Sequence, residues 1–280
     1  MSLRRFTIAT AIAALVAAGL TAASPQAQAA TAVPRFDHIV LVMFENKATS
    51  QITSSSAPYF TALAAQGAKF SQSYAITHPS QPNYIALFSG ATQGVTSDAC
   101  PKSFTVDNLG GQLIGAGLSF TGYSESMPSD GYTGCSSGTY MRKHNSWVDF
   151  STVPTASNRT YASFPTDYST LPTVAFVTPN MCSDMHDCSI GTGDTWLQSH
   201  LDGYAQWAKT HNSLLIVTFD EDNSLSLNHI HTSFIGQHVT PGTYAEKITH
   251  YTVLRTIESA YGLSALGAAA GVSPITDVWS

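Results

Sequence analysis

Ser80 stands between two prolines in Thr77-His78-Pro79-Ser80-Gln81-Pro82-Asn83-Tyr84, where an extended run, Lys69 to Ile76, gives way to a helical pattern. The prolines fix the local φ angles. A proline near the first helical turn costs no hydrogen bond, because its missing N–H would have been an orphan there. A hydroxyl on such a stiff turn, with the positive end of a helix behind it, suits a nucleophile that receives a phosphate. The same placement also suits a plain helix N-cap, so Ser80 gains weight only through its company.

That company is polar and recurs at the ends of apolar runs. One run closes on Glu45-Asn46, another is followed by Asn180, Asp184, His186 and Asp187, and a third closes on Asp220-Glu221-Asp222. Carboxylates brought together repel, so either one keeps its proton or a cation sits among them. Glu, Asn and Asp are hard oxygen donors, which suit Ca, Mg or Mn. Such a cation would favour a serine alkoxide and offset phosphoryl charge. His229 and His231 alternate along an expected strand, so at most one faces this edge, and His250 falls near a helix N-cap.

The elements that must position these groups alternate. Strands are expected over Asp37 to Phe44, Lys69 to Ile76, Leu118 to Ser124, Thr173 to Thr178, Leu214 to Phe219 and Ile230 to Gly236. Helices are expected over Ala57 to Gln66, Gln81 to Ser89, Leu109 to Ala116, Asp194 to Thr210 and Tyr251 to Tyr261. Continuous apolar strands alternating with helices imply an α/β fold, a mostly parallel central sheet with helices on both faces. Ligands of such sheets bind outside the carboxyl ends of the strands, where the polar clusters fall. The stretches Ala91 to Asp107 and Met127 to Pro172 read as long surface excursions.

The chain has 280 residues and a formal charge of −6, with only 11% charged residues. An acidic chain without a basic face argues against nucleic acid as a partner. Arg4-Arg5, the apolar run Phe6 to Leu20 and Ala27-Gln28-Ala29 read as a signal peptide over residues 1–29, followed by a single catalytic domain over 30–280. No later segment is long and apolar enough to form an integral membrane segment. The expectation is therefore a secreted monomer. Cys100, Cys135, Cys182 and Cys188 in an exported chain point to two disulfides. Of three pairings, Cys100–Cys135 and Cys182–Cys188 each close a loop region and are expected; the spacings fit no zinc ribbon or finger.

Glu45-Asn46-Lys47, the box from His78 to Tyr84, Asp184-Met185-His186-Asp187 and Thr218-Phe219-Asp220-Glu221-Asp222 together resemble the phosphoesterase family of bacterial acid phosphatases and non-specific phospholipases C, a branch of the alkaline-phosphatase superfamily. The resemblance runs from about Phe36 to Trp279. Arg142-Lys143-His144 and the stretch Tyr204 to Thr210 also match a short secreted branch that acts on phosphoinositides. The resemblance implies that Ser80 accepts the phosphate and that Glu45, Asn46, Asp220 and Glu221 hold a divalent cation. It makes His186 the catalytic histidine, with His78 as the other imidazole able to protonate the leaving oxygen. Arg142, Lys143, His144 and Asn83 are then the expected substrate contacts. The implied substrates are phosphate monoesters, phosphoinositide headgroups among them; the alternative is a phospholipase C acting on phosphodiesters. Phe219 stands where the family usually has Trp, and Asn223 to His231 replaces a loop richer in Gly and Pro.

Overall fold

A computed structural model describes residue 1 and residues 32–280; apart from Met1, the expected signal peptide lies outside the described residues. In chain order the elements are β1 (His38–Phe44), α1 (Pro58–Ala64), β2 (Ala68–Tyr74), α2 (Ser80–Ser89), α3 (Leu109–Gly115), β3 (Phe120–Ser124), β4 (Ser136–Ser137) and β5 (Tyr140–Met141). They continue with β6 (Asn158–Thr160), β7 (Val174–Thr178), α4 (Ile190–Ala208), β8 (Ser213–Phe219), β9 (His229–Gly236), β10 (Gly242–Thr249) and α5 (His250–Tyr261). Eight strands form one sheet in the order β10-β2-β9-β8-β1-β7-β3-β6. β9 runs antiparallel to both its neighbours, and every other pairing in the sheet is parallel. The α/β, mostly parallel reading of the sequence therefore holds.

β1 lies at the centre because both of its faces are apolar. Successive side chains of a strand point to opposite faces. Ile39, Leu41 and Met43 accordingly join the core beneath α2, α3 and α5, with Ile85, Phe88, Leu113, Leu254 and Ile257. Val40, Val42 and Phe44 join the other core with Phe60 of α1 and Leu197, Leu201 and Tyr204 of α4. Since β1, β2, β7 and β8 all point the same way, their carboxyl ends share one edge of the sheet, and all the polar clusters emerge there.

Three features depart from expectation. β10 is an edge strand beside β2; its residues are exposed or half-buried except Ile248, and they offer no apolar run to read. α4 begins at Ile190 rather than Asp194, because Ser189 caps it by accepting a hydrogen bond from the Thr192 N–H. The stretch 127–172 is not a surface excursion. Tyr140, Trp147 and Phe150 from it are buried, and the Trp147 ring lies where a Cβ on Gly122 of β3 would stand. Trp147 Nε1 donates to Asn158 Oδ1 at 2.9 Å, which fastens the stretch to the sheet. Cys100–Cys135 and Cys182–Cys188 pair as expected.

Candidate active site

Strand register alone brings the first carboxylates together. Phe44 of β1 sits opposite Phe219 of β8, so the next residues, Glu45 and Asp220, leave the sheet side by side. Asn46 turns in the left-handed region, φ 56°, which aims its N–H at Asp220 Oδ1 (2.9 Å). Its side-chain Nδ2 donates to Glu45 Oε2, also at 2.9 Å. From behind, His250 at the start of α5 places Nε2 2.7 Å from the Asp220 carbonyl oxygen.

α2 delivers the hydroxyls. The His78–Pro79 peptide is cis, Pro79 is the helix N-cap, and Ser80 is the first helical residue. Ser80 Oγ donates to Glu45 Oε2 at 2.9 Å and lies 3.2 Å from Glu221 Oε1. One turn along the same helix face, the Tyr84 hydroxyl donates to Glu45 Oε1 at 2.6 Å. His78 rests its Nδ1 on Glu221 Oε2 at 2.5 Å, with Nε2 3.4 Å from Asp222 Oδ1.

The loop after β7 closes the other side. The disulfide Cys182–Cys188 staples it, and the Asp184 carbonyl accepts the Glu45 N–H at 2.8 Å. Asp184 Oδ1 accepts the His186 N–H at 2.8 Å, and His186 Nδ1 pairs with Asp187 Oδ1 at 2.7 Å. Met185 is fully buried with φ 78°, and its carbonyl accepts from Lys47 Nζ at 2.8 Å. Between Glu45 and Asp184 lies His144, with Nε2 3.0 Å from Glu45 Oε1 and Nδ1 3.3 Å from Asp184 Oδ2. Its ring stacks on Tyr84 at 5.0 Å and comes within 6.3 Å of the His186 ring.

This crowding shifts protonation. Burial, then Asp220 and Asp184, hold Glu45 well above the ordinary carboxylate range. Burial likewise raises Asp220 and Asp184, and burial with Asp220 nearby pushes Glu221 up to about 8. His144 goes the other way: burial, then Lys143 and His186, hold it well below the usual imidazole value. A buried cluster of four carboxylates with so few cations around it is suited to a metal ion. Glu45, His144 and Asp184 each offer a ligand atom, all within 4.8 Å of one another.

The residues expected at the site divide into two groups. Ser80, Glu45, Asn46, Asp220 and Glu221 converge, while His78 and His186 stand as the more exposed imidazoles beside them. Three expected substrate contacts do not. Arg142 is buried: its guanidinium donates to Asp149 Oδ1 from Nε at 3.1 Å and from Nη2 at 2.8 Å, and to the carbonyls of Thr133 and Lys102. Asn83 spends its amide on the serine turn, accepting from the N–H groups of Ile76 and Thr77 and donating to the carbonyls of Thr77 and Pro79. His144 is only 1% exposed and bridges carboxylates instead of facing solvent. Lys143 is the one member of its triplet near the site with a movable charge, and its Nζ lies 2.8 Å from Asp98 Oδ2. Burial opposes both charges, yet the pairing prevails: Lys143 is raised and Asp98 lowered.

Two further points concern the helix end and the strand histidines, of which at most one is expected to face the site. Asp98 Oδ1 accepts the Gln81 N–H at 3.0 Å, so part of the α2 N-terminus already faces an anion from the chain. His229 Nε2 meets the Ser71 carbonyl, and His231 is buried against Phe60 and Phe219; neither reaches the site. Sequence reasoning assigns no role to His144 as a buried bridge, nor to Asp184 as its partner. The signal for Asp184 is present, in its own motif; nothing local marks His144.

The chain has relatives in sequence and neighbours in fold. The chain is 49% identical over 281 residues to a phosphatidylinositol-3-phosphatase of Mycobacterium tuberculosis, covering 99% of this chain and 94% of that one. It is 32% identical over 226 residues to an acid phosphatase of Aspergillus fumigatus, covering 73% of this chain but 51% of the fungal protein, so it spans about half of that relative's length. Its fold is shared with an alkaline-phosphatase-superfamily protein from Vibrio parahaemolyticus, with a TM-score of 0.64 at 13% identity over 88% of this chain and 72% of the other. Residues 45–264, which carry every group of the site, match the phosphoesterase family, and the chain belongs to it as a phosphoester hydrolase.

Proposed function

We propose that this chain is an exported acid phosphatase that hydrolyses phosphate monoesters through a phosphoserine on Ser80. The observation that carries the reading is the placement of Ser80 Oγ, buried and shared between Glu45 and Glu221 at the edge where the carboxylates converge. In its ionised form Glu45, which accepts the Ser80 hydroxyl hydrogen bond, is positioned to draw that proton. In the first step Ser80 Oγ bonds to phosphorus, the bond from phosphorus to the substrate alcohol breaks, and the departing oxygen takes a proton from an imidazole. In the second, water bonds to phosphorus, the Ser80 bond breaks, the imidazole recovers its proton from that water, and Ser80 recovers its own.

The residues fit a divalent cation. Asp220 Oδ2 lies buried without a hydrogen bond, and the donors around it are hard oxygens. Glu45, Asn46, Asp220, Glu221 and Ser80 would hold Ca, Mg or Mn, whose charge would favour the serine alkoxide and offset the phosphoryl oxygens. Two imidazoles stand at the mouth, each with a carboxylate on Nδ1: His78 on Glu221 and His186 on Asp187. The general acid is the one whose change to Gln slows alkyl phosphates while sparing p-nitrophenyl phosphate, whose leaving group needs no proton. Two disulfides support an oxidising destination, in keeping with residues 1–29 as a signal peptide.

Ser80→Ala should lower turnover of p-nitrophenyl phosphate by at least roughly a thousandfold while leaving the far-UV spectrum and Tm unchanged. Activity near the parent level would eliminate Ser80 as the nucleophile. Exhaustive chelation should remove activity and Ca, Mg or Mn should restore it. Preferential cleavage of p-nitrophenylphosphorylcholine would move the reading to a phosphodiesterase.

A further inference from the structure

We infer that Leu225 and Leu227 form an apolar rim by which the enzyme seats on an anionic lipid layer while a phosphorylated headgroup enters the site; this rests on the phosphatase reading above. These two leucines are 86% and 93% exposed, and the other exposed large hydrophobics among the described residues are Met1 and Val106. Exposed leucines mean little singly, but these share one cleft with Ala75, Ile76 and His78. His78 leans on Glu221, whose other oxygen faces Ser80, so the wall of the cleft shared with the leucines is linked through Glu221 to the nucleophile.

The loop that carries them is held rigidly. Asp222 Oδ1 accepts the Ser224 N–H at 2.6 Å, and Oδ2 accepts those of Ser226 and Asn228 at 2.7 and 2.9 Å. Asn228 Nδ2 then donates to the Thr77 carbonyl at 2.9 Å, tying the loop to the serine turn. Ser224, Leu227 and Asn228 take φ of 64°, 57° and 58°, a left-handed backbone that non-glycine residues adopt at a cost. A chain that held leucines this way with no use for them would have cheaper alternatives.

The chemistry of the rim selects the occupant. No side chain from Asn223 to Asn228 is charged, so the tip can leave water without stranding a charge. At its far end His229 stacks on Tyr74 at 4.9 Å, and the exposed Lys247 lies 5.2 Å from that same ring. An apolar tip flanked by a lysine is the arrangement of a shallow, reversible interfacial contact, with acyl chains below and anionic headgroups beside it.

The test uses the full chain with vesicles of phosphatidylcholine carrying a minor fraction of monophosphorylated phosphatidylinositol. Binding is read by sedimentation in a Ser80→Ala background, where no turnover occurs. Leu225→Ser/Leu227→Ser should weaken vesicle binding on the order of 10-fold per leucine. It should leave p-nitrophenyl phosphate turnover within about twofold of the parent, since the hydrogen bonds and ion pairs that hold Ser80 and His78 come from other residues. Leu225→Trp/Leu227→Trp should bind the vesicles at least as tightly as the parent. Unchanged vesicle binding in the serine variant overturns the inference, as does an equal loss on vesicles and on p-nitrophenyl phosphate. So does a parent dimer that the serine variant disperses while vesicle binding persists, because the leucines would then meet a second copy. A parent inactive on p-nitrophenyl phosphate would instead remove the phosphatase reading, and sedimentation would still report on the rim.

Discussion

At the scale of residues, Arg142-Lys143-His144 shows how far neighbours in sequence can part in space. The three lie on a 3₁₀ turn, where successive side chains point roughly 120° apart. Arg142 therefore goes inward to Asp149, Lys143 sideways to Asp98, and His144 to Glu45 and Asp184. In sequence the three read as one basic patch, because composition carries no direction. Ser80, Glu45 and Asp220 are legible for the opposite reason, since proline brackets and strand ends fix where a side chain goes. The Arg142 assignment makes a clear prediction. Asp149 is already pushed up to about 6, by burial against the pull of Arg142, so Arg142→Ala would leave an uncompensated acid indoors. The expected cost is about 3–5 kcal/mol in urea unfolding. The molecules that remain folded should keep the parent KM. A raised KM with unchanged stability would return Arg142 to the substrate.

At the scale of elements, strand periods and helix stripes are legible because β1, β7 and β8 are apolar on both faces. β10 is not, being an exposed edge that needs β2 to exist. The loop between β7 and α4 lies between these cases: its motif is visible in the sequence, but not the way it is locked. Gly193, in the first turns of α4, is the lock. A Cβ there would meet Met185 Cγ at 2.5 Å and the Ser183 carbonyl oxygen at 2.9 Å. Gly to Ala inside a helix ordinarily gains about 1 kcal/mol. Here the close approach to Met185 should reverse the sign, with a net loss of about 1–3 kcal/mol from overpacking. Because Asp184 and His186 flank Met185, turnover should also fall in Gly193→Ala, and both can be read from Tm and kcat of the same preparation. A stabilised and fully active Gly193→Ala would show that the loop gives way easily.

At the scale of the whole molecule, the site opposes the fold that builds it. Glu45, Asp184, Asp220 and Glu221 all hold their protons more tightly folded than unfolded, Glu221 up to about 8, chiefly through burial. Without a cation, the stability they lend is fully present below the unfolded carboxylate range, near about 4, and is lost as pH rises through their folded values. The buried histidines set the other limit. Burial lowers His231 to about 3 and His250 to about 4, so their contribution is present above about 6.5, the free imidazole value, and is lost as pH falls through those folded values. In chelator, then, the protein should be most stable at mildly acidic pH, with Tm declining towards pH 8 as well as towards pH 4. A bound divalent cation favours ionised carboxylates and so removes the first arm while leaving the second. Adding Ca, Mg or Mn should therefore raise Tm far more at pH 8 than at pH 5. An equal rise at both pH values, or none, would mean that the carboxylates do not hold the ion, and the metal-binding role of Glu45, Asp220 and Glu221 would fall.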